Sequence, residues 1–305
     1  MGNKTATIIV SIVMMSCVLL FSALCVREAQ SGTVYRFMWG KSAKLRNTIE
    51  LSVNEAETLS VIYGSQNVLV YPADGDRIVI REYLYTDRQE EFAAVSHTGN
   101  AETVVTGSKT NGLWFLGMGR YEKIEVYLPQ GIRNLHIQTE SGNINSESGY
   151  SFLGEELSVK VGSGNLNFQS AHAQTIYMKA GSGNLRLEEL SGDMTLEAGS
   201  GNITAEALSG RVDAHVGSGN IRLTLSEVSE SLRAQSGSGN VSITLPEETK
   251  GQIRISTKSG NIHTDFDDSL SFNQKGNQAE GVLGEKGDFK LEAEAGSGNV
   301  KVLLQ

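Results

Sequence analysis

Gly181-Ser182-Gly183-Asn184-Leu185, Gly199-Ser200-Gly201-Asn202-Ile203 and Gly217-Ser218-Gly219-Asn220-Ile221 are three copies of one phrase. A weaker phrase lies between them, at Leu190-Ser191-Gly192-Asp193-Met194 and Leu208-Ser209-Gly210-Arg211-Val212. The glycines at 183, 192, 201, 210 and 219 are spaced by nine residues, and full copies by eighteen. A fixed period of about 20 residues marks a repeat architecture. Between turns the residues alternate: Ile221, Leu223 and Leu225 are apolar, while Arg222 and Thr224 are polar. Such alternation predicts strands with one buried and one wet face. Each nine-residue unit is then one strand and one tight turn, and two units make a coil. Glycine and asparagine are the residues that tolerate positive φ at such turns.

One coil cannot cover its own apolar side, so coils must stack and share a core. The fold expected is all-β, an elongated parallel β-solenoid of about 18–22-residue coils. Its core should include Leu185, Leu187, Met194, Leu196, Ile203, Val212, Val216, Ile221 and Leu223. Stacking sets each Ser-Gly-Asn corner above the last at the strand spacing of about 4.8 Å. Asn143, Asn165, Asn184, Asn202, Asn220, Asn240, Asn261 and Asn299 can then bond one another as a ladder. A phosphate-cradling glycine loop needs a following helix, and here a strand follows every copy. Calcium-binding nonapeptide coils carry carboxylates at the corner, where this chain has serine and asparagine.

Working outward, Thr5–Val26 is an uncharged run long enough to span a bilayer as a helix. It lacks a small-x-small cleavage site, so one uncleaved transmembrane helix is expected. Residues 1–4 form a short tail, 27–47 a tether, 48–129 degenerate coils with a cap, and 130–305 the regular repeats. The repeat domain is expected outside the cytoplasm at the cell membrane. The basic residues Arg27, Arg36, Lys41, Lys44 and Arg46 after the span argue the other way if counted literally, or serve contact with anionic lipid. Both cysteines, Cys17 and Cys25, lie inside the apolar run and carry no evidence of redox compartment. A net charge of −9 argues against general nucleic-acid binding.

Two stretches are candidates for contact with partners. Gly112–Gly119 is apolar and contains Trp114 and Phe115, which suit a cap or an exposed docking patch. The chain stops part-way through a coil at Gly296–Gln305. A solenoid cut there leaves Val300 and Val302 on an open strand edge, expected to serve self-assembly unless Phe272–Lys286 folds over it. No catalytic, cofactor or metal residues are expected. The five histidines, His97, His136, His172, His215 and His263, are scattered, and His136 and His215 fall on outward positions. No nucleophile elbow occurs, since Gly-Ser-Gly-Asn is one residue short of it.

The N-terminal membrane segment, the Tyr127-Leu128-Pro129 entry strand and the ladder of corners resemble the bacterial adhesin-like β-repeat family, also called the toastrack domain. The resemblance covers roughly residues 48–305 and rests on the spaced copies together. It implies a β-helix-like solenoid of envelope proteins, tied to adhesion or envelope-stress sensing, and brings no catalytic residues. The leading expectation is a membrane-anchored, non-enzymatic scaffold whose partners are the membrane, further copies of itself or an envelope protein. A stress-sensing module and a polysaccharide-active enzyme are the alternatives.

Overall fold

The computed structural model describes residues 43–53, 57–98, 102–107, 122–284 and 287–305. Nearly all of these belong to one compact unit, Leu45–Gly112 with Tyr121–Gln305. The predicted membrane helix at 5–26 and the Trp114–Phe115 stretch lie outside the described residues. Among those described, no helix is long and apolar enough to cross a membrane.

Every coil has an arriving strand that runs into the Ser-Gly-Asn corner and a departing strand that leaves it. Val212–Ser218 arrives and Ile221–Leu225 departs in one coil, and Ser231–Ser238 and Val241–Leu245 do so in the next. Arriving strands pair with arriving strands and departing with departing, in parallel and in register: Val212 opposes Leu232, and Ile221 opposes Val241. Ile203 and Ile221, one period apart, are register partners on adjacent strands. All the core residues named from the alternation are buried. In two coils the far bend is softer than the expected tight turn: Leu166–Ser182 and Leu185–Ser200 run through it as continuous strands, with a register shift between His172 and Thr175.

Coils do not stack in chain order at either end. The final coil, Phe289–Ser297 with Val300–Leu304, is inserted between the coil of Ser231–Leu245 and that of Gly251–Thr264. Val300 and Val302 are 0 % exposed, with a paired strand on each side. The expected open edge there is therefore wrong. A corner repeat can seat on any other copy, so the alternation could not disclose this order. The segment Asp265–Asp288 gives the chain enough length to pass over one coil and return.

The N-terminal end mirrors this arrangement. Thr58–Tyr63 and Asn67–Pro72 lie between Glu102–Thr106/Lys123–Leu128 on one side and Asn134–Thr139/Ile144–Ser146 on the other. Antiparallel strands then close the outermost coils. Arg77–Leu84 covers Lys123–Leu128, and Ala94–Thr98 covers Glu102–Thr106. At the other end Gln278–Leu283 covers Gly251–Ser259 and is itself paired by Leu270–Phe272. The strand Lys44–Ser52 pairs with Arg77–Leu84, so the fold begins inside the stretch assigned to the tether.

The corner glycines are required by the closeness of the stack more than by turn geometry. A Cβ at Gly219 would collide with the Gly201 carbonyl oxygen, and one at Gly201 with that of Gly183. Gly219→Ala is expected to cost ~3 kcal/mol, because a clash with backbone adds to an unfavourable φ of +144°. Gly75→Ala, at φ +87° in open space, should cost only ~1 kcal/mol. Equal shifts of the two denaturation midpoints would refute the packing account.

Candidate functional site

The most regular side-chain feature is the asparagine column. Asn202 Oδ1 accepts the backbone N–H of Asn220 at 2.9 Å and its Nδ2 at 3.1 Å. Asn184 receives the same pair from Asn202 at 2.9 and 3.0 Å, and Asn220 from Asn240 at 2.9 and 3.2 Å. Asn143 and Asn165 continue the ladder toward the N-terminal end, joined to Asn184 through Asn165 Oδ1. Asn67, in the worn copy Gly64-Ser65-Gln66-Asn67, begins it by accepting from Asn143 at 2.9 and 3.2 Å. At the C-terminal end the order is Asn240, Asn299, Asn261, following the inserted coil, and only the backbone donations persist, at 2.8 and 2.9 Å. The column holds corners in register, and the side-chain carbonyl acceptors from Asn67 to Asn240, with that of Asn299, are used by the chain itself.

A second cluster lies at the N-terminal end, on the outward face of Asn67–Pro72, Lys123–Leu128 and Arg77–Leu84. Tyr71 stacks on Tyr127 at 5.0 Å, and Arg81 covers the Tyr127 ring at 4.8 Å. Lys123 lies over Tyr83 at 4.4 Å and donates to Glu125 at 2.7 Å, and the Tyr127 hydroxyl donates to Glu125 at 3.1 Å. Burial pushes the Glu125 carboxyl up, but hydrogen bonds from Lys123, Tyr83 and Tyr127 outweigh it and hold the group below its ordinary 4.5. The aromatic faces are thus occupied by Tyr71, Arg81 and Lys123. Sequence reading missed this cluster, although Tyr71, Tyr83 and Tyr127 all fall on outward alternating positions.

Behind the cluster two carboxylates are buried. Glu82 accepts from Asn47 Nδ2 at 2.7 Å and the Ala93 N–H at 3.0 Å. Glu122 accepts from Gln66 Nε2 and the Tyr85 N–H, both at 3.0 Å. Burial first, then the Glu82 charge, drives the Tyr63 phenol well above its ordinary value. These groups join the covering strands to the first coils.

An open depression near the far bend is lined by His172, Glu188, Glu189, Glu206 and Ala207. Glu188 and Glu206 follow the register partners Leu187 and Ala205, so they stand side by side on adjacent strands. Ala207 has φ +51°. Carboxylates about 5–10 Å apart can cleave glycosides when a cleft holds the sugar between them. Here both are exposed to solvent. Among the described residues no group of three or more His, Cys, Asp or Glu side chains is placed to hold a metal ion. His136 bridges Ser60 and Glu156 at 3.4 and 3.2 Å, and His215 is exposed.

A family model described as Toastrack DUF4097 matches residues 56–303. The chain belongs to the Toastrack family. Among solved structures, this Toastrack chain is similar to a candidate adhesin from Bacteroides fragilis NCTC 9343, at 15% identity over 84% of this chain and 96% of that one, with a TM-score of 0.46. A candidate adhesin from Parabacteroides merdae ATCC 43184 is 12% identical over 85% and 96% of the two chains, with a TM-score of 0.40. A candidate cell adhesion protein from Clostridium sporogenes ATCC 15579 is 11% identical over 85% and 98%, with a TM-score of 0.24. No curated protein sequence matches the chain.

Two outcomes check these assignments. Asn202→Ala removes the acceptor for the Asn220 backbone and should lower stability by about 1 kcal/mol. An unchanged melting midpoint would refute the structural role of the column. Glu125 has a depressed folded pKa, so its stabilisation is present above pH 4.5 and is lost as pH falls through the lowered value. Glu125→Gln should therefore flatten the acid limb of a melting-temperature profile, and an unchanged limb would refute the assignment.

Proposed function

We propose that this Toastrack chain is a membrane-tethered, non-enzymatic solenoid of the bacterial cell envelope that presents its outer sheets for adhesion. The observation that carries this reading is the alignment of the coils. The asparagine column and in-register strands keep outward side chains in straight rows across successive coils, from Asn67 to Asn261. A rigid array of that kind suits an extended partner held by many weak contacts, whose joint effect far exceeds any one of them. The uncharged run Thr5–Val26 supplies the tether, and its length suits a single span.

Buried Val300 and Val302 remove the strand edge on which self-assembly was expected to depend, so the faces, rather than the chain end, are the proposed contact surfaces. In cells, the full chain should sediment with membranes and be released only by detergent, and deleting residues 5–26 should release it without detergent. Protease added to intact cells should degrade the repeat domain. A chain protected until the cells are lysed would place the domain inside and end the adhesive reading.

A further inference from the structure

The two outer faces handle charge differently. On the arriving strands three cations are paired across neighbouring strands, Lys179 with Glu197 at 2.8 Å, Arg233 with Glu292 at 3.3 Å and Arg254 with Glu280 at 3.0 Å, while Lys258 and Lys290 make no ion pair among the described residues. The departing strands carry a straight row two residues beyond the asparagine column. Register partners place Arg186 beside Thr204, Thr204 beside Arg222, Arg222 beside Ser242, Ser242 beside Lys301, and Lys301 beside His263. Arg186, Arg222, Lys301 and His263 are exposed. Among the described residues, none of these four makes an ion pair. Cations at alternate strands lie about 10 Å apart, twice the strand spacing.

The neighbouring asparagine column adds donors. Each Nδ2 in the regular ladder spends one N–H on the preceding asparagine and leaves the other toward solvent. At the inserted coil the side-chain bonds lapse, so the Asn299 and Asn261 amide nitrogens have no partner among the described residues, and they stand beside Lys301 and His263. On the far side of the row are Glu188, Glu206, Thr224, Thr244, Leu303 and Asp265. The acids there repel a negative ligand toward the asparagine side. The stretch from Arg222 to Lys301 has no carboxylate among Thr224, Thr244 and Leu303 beside it.

We infer that the departing-strand face binds a linear acidic polysaccharide, laid along the stack between the asparagine column and the Arg186–Arg222–Lys301 row. The spacing matches a polymer with its negative charges about 10 Å apart. Serine and threonine between the cations accept and donate to intervening hydroxyls. The inference rests on the adhesive role proposed for the chain and deepens it by naming the ligand class.

The full chain in detergent is titrated with hyaluronan, which carries one carboxylate per disaccharide, and in parallel with uncharged dextran and duplex DNA. Hyaluronan should bind, dextran should not, and added salt should weaken binding as screening requires. The double variant Arg222→Ser/Lys301→Ser keeps a residue type already present in the row at Ser242 and should weaken hyaluronan binding at least tenfold. Arg233→Ser/Arg254→Ser removes the same charge from the opposite face and should change it less than twofold. Single Arg222→Ser and Lys301→Ser variants, each losing part of the affinity, keep the test decisive if the double variant does not fold. Binding no stronger than to dextran, equal losses from the two double variants, or tighter binding of duplex DNA than of hyaluronan would each overturn the proposal. The assay needs no membrane, so its failure leaves the anchorage and sidedness experiments to stand separately.

Discussion

Everything in the structure depends on how closely one corner sits on the next. The second glycine of each Gly-Ser-Gly-Asn lies against the carbonyl oxygen of the glycine one coil away, with no space for a side chain between them. That approach brings Asn202 Oδ1 within 2.9 Å of the Asn220 backbone N–H. The backbone also closes the other half of the step, with the Ile203 N–H donating to the Asn220 carbonyl at 2.9 Å. A corner built in this way is nearly a sheet in itself, with its amides satisfied by the neighbouring corner. The inner columns follow from it. Leu185, Ile203, Ile221 and Val241 are superposed because their preceding asparagines are, and each buries its side chain against the same wall.

Much of this was legible in the chain. Strict alternation and a fixed period identified the parallel coils, the inward set from Leu185 to Leu223 and the asparagine ladder, because a period-two pattern can be satisfied in only one register. The order of the coils was not legible. Copies such as Gly239-Asn240, Gly260-Asn261 and Gly298-Asn299 offer the same stacking surface, so local pattern cannot choose between them. The clue is the 38-residue interval between Gly260 and Gly298, twice 19, which by spacing reads as a further coil that has lost its corner and holds an inserted loop. Instead it carries the covering hairpin of Leu270–Phe272 and Gln278–Leu283.

The candidate surfaces were harder to read for a related reason. Tyr71, Tyr83 and Tyr127 come from three strands of which one is antiparallel, so no linear spacing joins them. The pairing of Lys179 with Glu197 could be anticipated from an eighteen-residue separation, whereas the lack of an ion-pair partner for Arg222 among the described residues could not. Charge pairing depends on side-chain reach across the stack, which alternation does not specify. The expectation of an open apolar end failed on the same ground: Val302 looks like an edge residue only if chain order is stacking order.

Seating the first and last coils one position inward also constrains how such a protein can change length over generations. Corner intervals are eighteen residues between Gly183, Gly201 and Gly219, and widen toward either end. Duplicating one such unit in the gene would add a coil whose corner, core columns and outer rows already fit those above and below. Duplicating a unit at either end would instead separate the inserted strand from one of the two neighbours that seat it. The geometry of the middle coils therefore accommodates an added or removed coil, while each closure works only as a complete set of strands.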